Sequence, residues 1–147
     1  MIDYENPWLF NGVPFSSDDI QDHYGFVYCL TDLVNNKKYI GRKYFWSVRT
    51  IKKVKGRRKK NRSESDWKDY YGSSKNVLQI VEEHGKQRFK REILSLHKTK
   101  GDVNYNEVKT QFKLDVLEAV DMNEERVFYN ENIANRYFYR NTKKDQK

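Results

Sequence analysis

The sequence predicts an α+β fold: a small antiparallel three-stranded sheet flanked by helices, with a basic insertion after its first hairpin. Three observations lead there. Phe26-Val27-Tyr28-Cys29-Leu30 is an aromatic and β-branched run, and Lys38-Tyr39-Ile40-Gly41 resumes that pattern beyond the turn-prone Val34-Asn35-Asn36-Lys37, so the two read as a hairpin. Phe89 to Leu96 reads as a third strand, with the hairpin as its partner. Elsewhere apolar residues recur at helical spacing.

The chain of 147 residues is long enough for one modest core and too short for two. Its expected organisation is an N-terminal extension over residues 1–23, a domain over 24–135 with a basic insertion at about 52–72, and a basic aromatic tail over 136–147. Lysine and arginine number 29 against 21 acidic residues, a net charge of +8, and such a field favours polyanions, nucleic acid first. An aromatic content of 15% argues against a disordered basic tail, because that much ring surface can support a fold. The single cysteine, Cys29, cannot form an internal disulfide, and its apolar neighbours argue against a catalytic thiolate. No apolar run approaches the roughly 20 residues of a membrane span. MIDYENPWLF is acidic and aromatic, unlike a signal peptide, so a cytoplasmic location is expected.

Taken in order, residues 1–23 carry both prolines, Asn11-Gly12 and Ser16-Ser17-Asp18-Asp19, which is turn chemistry with Trp8, Leu9, Phe10 and Phe15 as anchors. After the hairpin, whose Gly41 marks a close approach or a bend, a helix is expected to begin at the cations Arg42 and Lys43. Phe45, Val48 and Ile51 give that helix a thin apolar stripe, and Arg49 lies further along it. The composition then turns basic: Lys52, Lys53, Lys55, Arg57, Arg58, Lys59, Lys60 and Arg62 lie within twelve residues, read either as a solvated loop or as an arm that tracks phosphates. Trp67, Tyr70 and Tyr71 stand at helical spacing, so core packing is the default and base stacking the alternative. Ser73-Ser74 caps a helix over Asn76 to His84, closed by Gly85, and those caps can also receive a phosphate. Asn104 is expected to cap a longer helix to about Val120, with Tyr105, Val108, Phe112, Val116 and Ala119 facing the core and Glu107 beside them. Arg136-Tyr137-Phe138-Tyr139-Arg140 interleaves cations with rings, for packing or for a second nucleic-acid contact.

The hairpin, an intact Tyr39-Ile40-Gly41 and an arginine eight residues past that glycine together resemble the GIY-YIG nuclease module. Phe26-Val27-Tyr28 stands where the first motif would be, with its tyrosine kept. The likeness extends through Asp66 to Ser74, Phe89 to Leu94 and Asn106 to Phe112, covers about Gly25 to Asn130, and resembles small bacteriophage-encoded members. What the resemblance implies is a DNA endonuclease using Mg²⁺, with Mn²⁺ as a substitute, inside an infected bacterial host. It implies Tyr28 as general base, Tyr39 orienting water or phosphate, Arg49 on the scissile phosphate, Glu107 as metal ligand, and Asn130 steadying the site. An unperturbed phenol titrates near about 10, so Tyr28 would need a cation's help; alternation puts Lys43 on the face of Tyr39 and Lys38 on the other, which ranks Lys43 first. One carboxylate suffices for a single Mg²⁺, because that ion keeps several waters. The resemblance brings no separate DNA-binding domain, so sequence selectivity would come from the basic insertion, the tail or a homodimer, or be slight; Arg42 and Trp67 join the insertion as expected contacts to DNA, expected to be double-stranded. A catalytically silent nucleic-acid-binding protein and an RNA-directed nuclease are the competing expectations.

Overall fold

The computed structural model describes residues 2–54 and 57–140, without the side chains of residues 49–61; Lys55 lies outside the described residues. In chain order the elements are β1 (Leu9–Phe10), β2 (Val13–Pro14), β3 (Gly25–Asp32), β4 (Lys38–Tyr44), β5 (Trp46–Val54), β6 (Arg57–Glu64), α1 (Lys75–His84), β7 (Phe89–His97), α2 (Lys100–Lys113), β8 (Asn132–Ile133) and β9 (Tyr137–Phe138). The antiparallel trio β4-β3-β7 is the heart of a five-stranded sheet of order β2-β1-β7-β3-β4. The two extra strands are short and come from the N-terminal segment, β1 lying parallel to β7.

Strand β3 is buried along its whole length, which explains its unbroken apolar run: it is central, and both of its faces are covered. Phe26, Tyr28 and Leu30 join Trp8, Phe15, Phe45, Trp67 and Val77 in one core, while Val27 and Cys29 join Ile40, Val116 and Phe128 in another. The hairpin turn is held by side chains. Asp32 is fully buried and takes both forks of Arg88 at 2.9 Å, the Tyr129 hydroxyl at 2.7 Å and the Val34 amide at 3.0 Å. Arg91, 1% exposed, has its guanidinium capped by the carbonyls of Glu5, Asn6 and Tyr70, which ties the N-terminal segment to β7.

Three expectations are corrected. No helix follows Gly41: β4 continues to Tyr44, and β5 pairs with β6 as a separate two-stranded arm, so Arg49 stands on a strand opposite Asn61. Phe45, Val48 and Ile51 fit a helical stripe, but Trp46, Val48 and Thr50 fit an alternation equally well. The β-forming side chains and a partner strand decide the matter. Phe45, fully buried, anchors the arm, whose base is closed by the Ser65 amide donating to the Phe45 carbonyl at 2.7 Å. Second, α2 starts at Lys100 with Thr99 as its cap, and Gly101 and Asp102 form its first turn rather than a break. Its buried stripe then runs through Val103 and Gln111, leaving Tyr105 and Phe112 65% and 52% exposed. Third, Trp67 is the core group that its spacing made the default and not the nucleic-acid contact set beside the insertion: it is fully buried, with Nε1 donating to Glu64 at 2.7 Å.

Candidate active site

Register places Tyr28 opposite Gly41 and Leu30 opposite Tyr39, so both phenols stand on one face of the hairpin with ring centroids 6.3 Å apart. The Tyr28 phenol passes beneath Gly41: a Cβ there would lie 2.6 Å from its Cζ. Gly72, at φ +84°, crowds it from the other side, its Cβ position 3.2 Å from the Tyr28 hydroxyl. The Tyr39 hydroxyl meets Ser73 Oγ at 3.3 Å, and Tyr70 stands edge-on to Tyr28 at 6.0 Å. From the opposite side α2 brings Glu107, whose Oε1 lies 3.3 Å from Arg42 Nε. Tyr28, Tyr39, Arg42, Tyr70, Ser73 and Glu107 line a single cavity of about 680 Å³. The start of α1 opens on the same space through Ser74, Lys75 and Asn76.

Behind the cavity, Asn130 is 1% exposed and clasps Ile40, accepting from its amide at 3.0 Å and donating to its carbonyl at 2.8 Å. Gln111 donates to the same carbonyl at 3.0 Å. These bonds fix β4 one residue before Gly41, where Arg42 and Glu107 must meet. Lys43 sits in a neighbouring groove of about 480 Å³, which shares Arg42 and Tyr70 with the cavity and reaches Trp46, Ser47 and Ser63 at the arm's base. Its Nζ donates to Asp66 at 2.6 Å and lies 4.1 Å over the Tyr70 ring. Lys38 does not line the cavity; its backbone instead joins β4 to Val127 and Tyr129. Above the groove the Arg62 guanidinium stacks 3.8 Å from the Trp46 ring.

Burial pushes the Tyr28 phenol well above its ordinary value, and it raises Tyr39 as well. It also raises the Glu107 carboxyl, a trend that Arg42 partly opposes. This corrects the expectation that neighbouring cations ease Tyr28 toward ionisation: Lys43 is occupied by Asp66, Arg42 by Glu107, and desolvation dominates. Burial in the cavity therefore works against ionisation of both phenols, while at Glu107 the Arg42 guanidinium supports the charge that burial opposes.

Sequence reasoning read Tyr70 only as a packing or stacking ring and Ser73 only as a helix cap that could receive a phosphate. It did not bring either beside the hairpin phenols, where both line the cavity and Gly72 packs against Tyr28. The signal was there in Tyr70-Tyr71-Gly72-Ser73, since a glycine beside aromatic residues often marks a close packing contact. Arg42, read as a nucleic-acid contact and as one of the cations near Tyr28, lines the cavity paired with Glu107. Among the described residues no three histidine, cysteine or acidic side chains converge as a metal cluster.

The family model described as "Putative endonuclease segE, GIY-YIG domain" matches residues 8–133. The chain belongs to the SegE-type GIY-YIG domain family. Membership covers the hairpin, the arm, both helices and β7, together with most of the N-terminal segment that pairs with β7. No curated protein and no solved structure matches the chain. An endonuclease domain has nucleic acid as its substrate, and the site of this SegE-type domain lies beside a basic arm. Among the described residues no helix is long and apolar enough to cross a membrane.

Proposed function

We propose that the protein is an endonuclease that hydrolyses phosphodiester bonds of double-stranded DNA with one divalent cation, Mg²⁺ or Mn²⁺, held by Glu107. The observation that carries this reading is the meeting of both hairpin phenols, a guanidinium and a lone carboxylate in one cavity. The donor set fits a hard, strongly hydrated ion: one carboxylate, with the hydroxyl-bearing Tyr39 and Ser73 lining the same cavity. When bound, the cation supplies positive charge for the leaving oxygen and acidifies water.

The chain's own residues do the rest. Arg42 and, from the arm, Arg49 donate hydrogen bonds to the phosphate, for which a planar guanidinium is suited. Tyr28 would take the proton of the attacking water as a phenolate, its own proton passing first to solvent, an ionisation that the positive charge of a bound cation would favour against burial. Tyr39, braced by Ser73, orients that water. Lys43 sets the field around Tyr70, and Asn130 keeps β4 in place. Lys52, Lys53, Lys55, Arg57, Arg58, Lys59, Lys60 and Arg62 hold the duplex along the arm, each neutralised phosphate steepening the salt dependence by about 0.9 log units per log salt.

The test is nicking of supercoiled plasmid with Mg²⁺ or Mn²⁺. Wild type converts it to open circles, while Glu107→Ala and Arg42→Ala lose at least about a hundredfold in rate, the scale of removing one charge-stabilising group, and still retain DNA on a filter. Equal cleavage by wild type and both variants removes the mechanism. A second reading, a DNA-binding protein without the reaction, draws on the pairing of Glu107 with Arg42 in the structure. It expects salt-sensitive retention and no nicking at any protein concentration.

A further inference from the structure

A carboxylate that is to hold a cation does so best without a positive group already beside it, yet Glu107 carries a guanidinium, Arg42 Nε lying 3.3 Å from Oε1. The pair is half open, with side chains 40% and 20% exposed. A second resting contact for Arg42 is the Tyr44 ring, whose centroid lies 5.0 Å from Cζ. Arg42 lines both the cavity and the groove that runs to the arm, so a strand crossing from one to the other passes it. Lys43, its neighbour in that groove, is held by Asp66 at 2.6 Å. Arg42 thus stands where a phosphate would cross, and it stands there paired.

We propose that Arg42 is a phosphate-binding residue parked on Glu107, released to the nucleic-acid backbone when Glu107 takes up a divalent cation. The inference rests on the cation reading of Glu107 given above. Ion pairs this exposed are weak, so the exchange of one carboxylate for a phosphate oxygen costs little. A phosphate accepts two guanidinium hydrogen bonds at once, which the single Nε contact to Glu107 does not match. Cation and nucleic acid then favour one another through a shared arginine, and linkage makes the effect reciprocal.

The experiment needs no cleavage. Mn²⁺ is titrated into the protein alone, with the free ion followed by electron paramagnetic resonance, and duplex binding is measured by fluorescence anisotropy in EDTA. Arg42→Gln binds Mn²⁺ about two- to fivefold more tightly than wild type, the scale of a half-exposed ion pair, because the resident competitor is gone. In EDTA, Glu107→Gln tightens duplex binding by freeing Arg42, whereas the double variant Arg42→Gln/Glu107→Gln loses that gain. A merely electrostatic effect of removing a negative charge would survive in the double variant, and that result overturns the inference. So does Arg42→Gln binding Mn²⁺ no more tightly than wild type. If Glu107→Gln instead keeps the wild-type Mn²⁺ affinity, it is the cation reading of Glu107 that falls.

Discussion

Gly41 has no side chain because the Tyr28 ring occupies the place where one would go. A methyl group there would lie 2.6 Å from Cζ and 3.1 Å from Tyr39 Cε1, so Gly41→Ala must push both phenols or bend β4. We expect a loss of about 1–3 kcal/mol in urea unfolding, the range for overpacking a filled site, together with a drop in nicking larger than the stability change explains. Gly25 offers a contrast: its Cβ would meet backbone, at 2.6 Å from the Lys43 carbonyl oxygen. Gly25→Ala is therefore expected to destabilise by a similar amount while the remaining folded protein keeps its rate per molecule. At this scale the sequence was informative about identity and silent about environment. It marked Tyr28, Tyr39 and Glu107 as chemistry-bearing residues, but whether a phenol is eased or hindered in ionising depends on burial, and burial comes from Gly41, Gly72, Trp8 and Tyr70 folding around it.

Among the elements, the hairpin is the most firmly built, and Asp32 is its keystone. Burial alone would raise this carboxyl, but Arg88, Tyr129 and the Val34 amide together outweigh that and hold it below the usual carboxylate range. A carboxyl lowered on folding contributes stability above its unfolded value near about 3.9 and loses it as pH falls through the lower folded value. Wild type should therefore lose stability below about pH 4 more steeply than Asp32→Asn, which is expected to be roughly 2–4 kcal/mol less stable at pH 7, because it leaves Arg88 without its partner. Urea unfolding at pH 7 and in a series from pH 4 downward checks both; parallel acid curves would show that Asp32 carries no such linkage. Elements were read from the sequence where local pattern and tertiary demand agree, as in the hairpin, α1 and β7. They were misread at β5, where one set of residues suits two periods, and at α2. There the sheet-facing stripe is polar because Gln111 is needed at the Ile40 carbonyl and Glu107 at Arg42.

For the whole molecule, the arm β5-β6 forms its own sheet, joined to the core through Phe45 and the closing bond from Ser65. Replacing residues 47–63 by a short glycine-serine turn, which keeps Trp46 on the core and Glu64 on Trp67, should leave the melting temperature within about 4 °C of wild type, the shift of roughly 1 kcal/mol in a domain of this size. The same deletion should flatten the salt dependence of duplex binding by about 0.9 log units for each phosphate that the arm had neutralised. An unfolded deletion variant would show that the arm is part of the core, and an unchanged slope would remove it as the DNA-binding element.

The sequence by itself determined the hairpin, the third strand, the basic character of the insertion and the family, because each is written in neighbouring residues whose periodicity or motif survives without a partner. Tertiary structure alone decided that the insertion is a strand pair, that Trp67 packs rather than stacks on a base, and that Arg42 faces Glu107. The reason is physical: a strand needs a partner, burial needs a neighbour, and an ion pair between residues 65 positions apart exists only when β4 and α2 pack together.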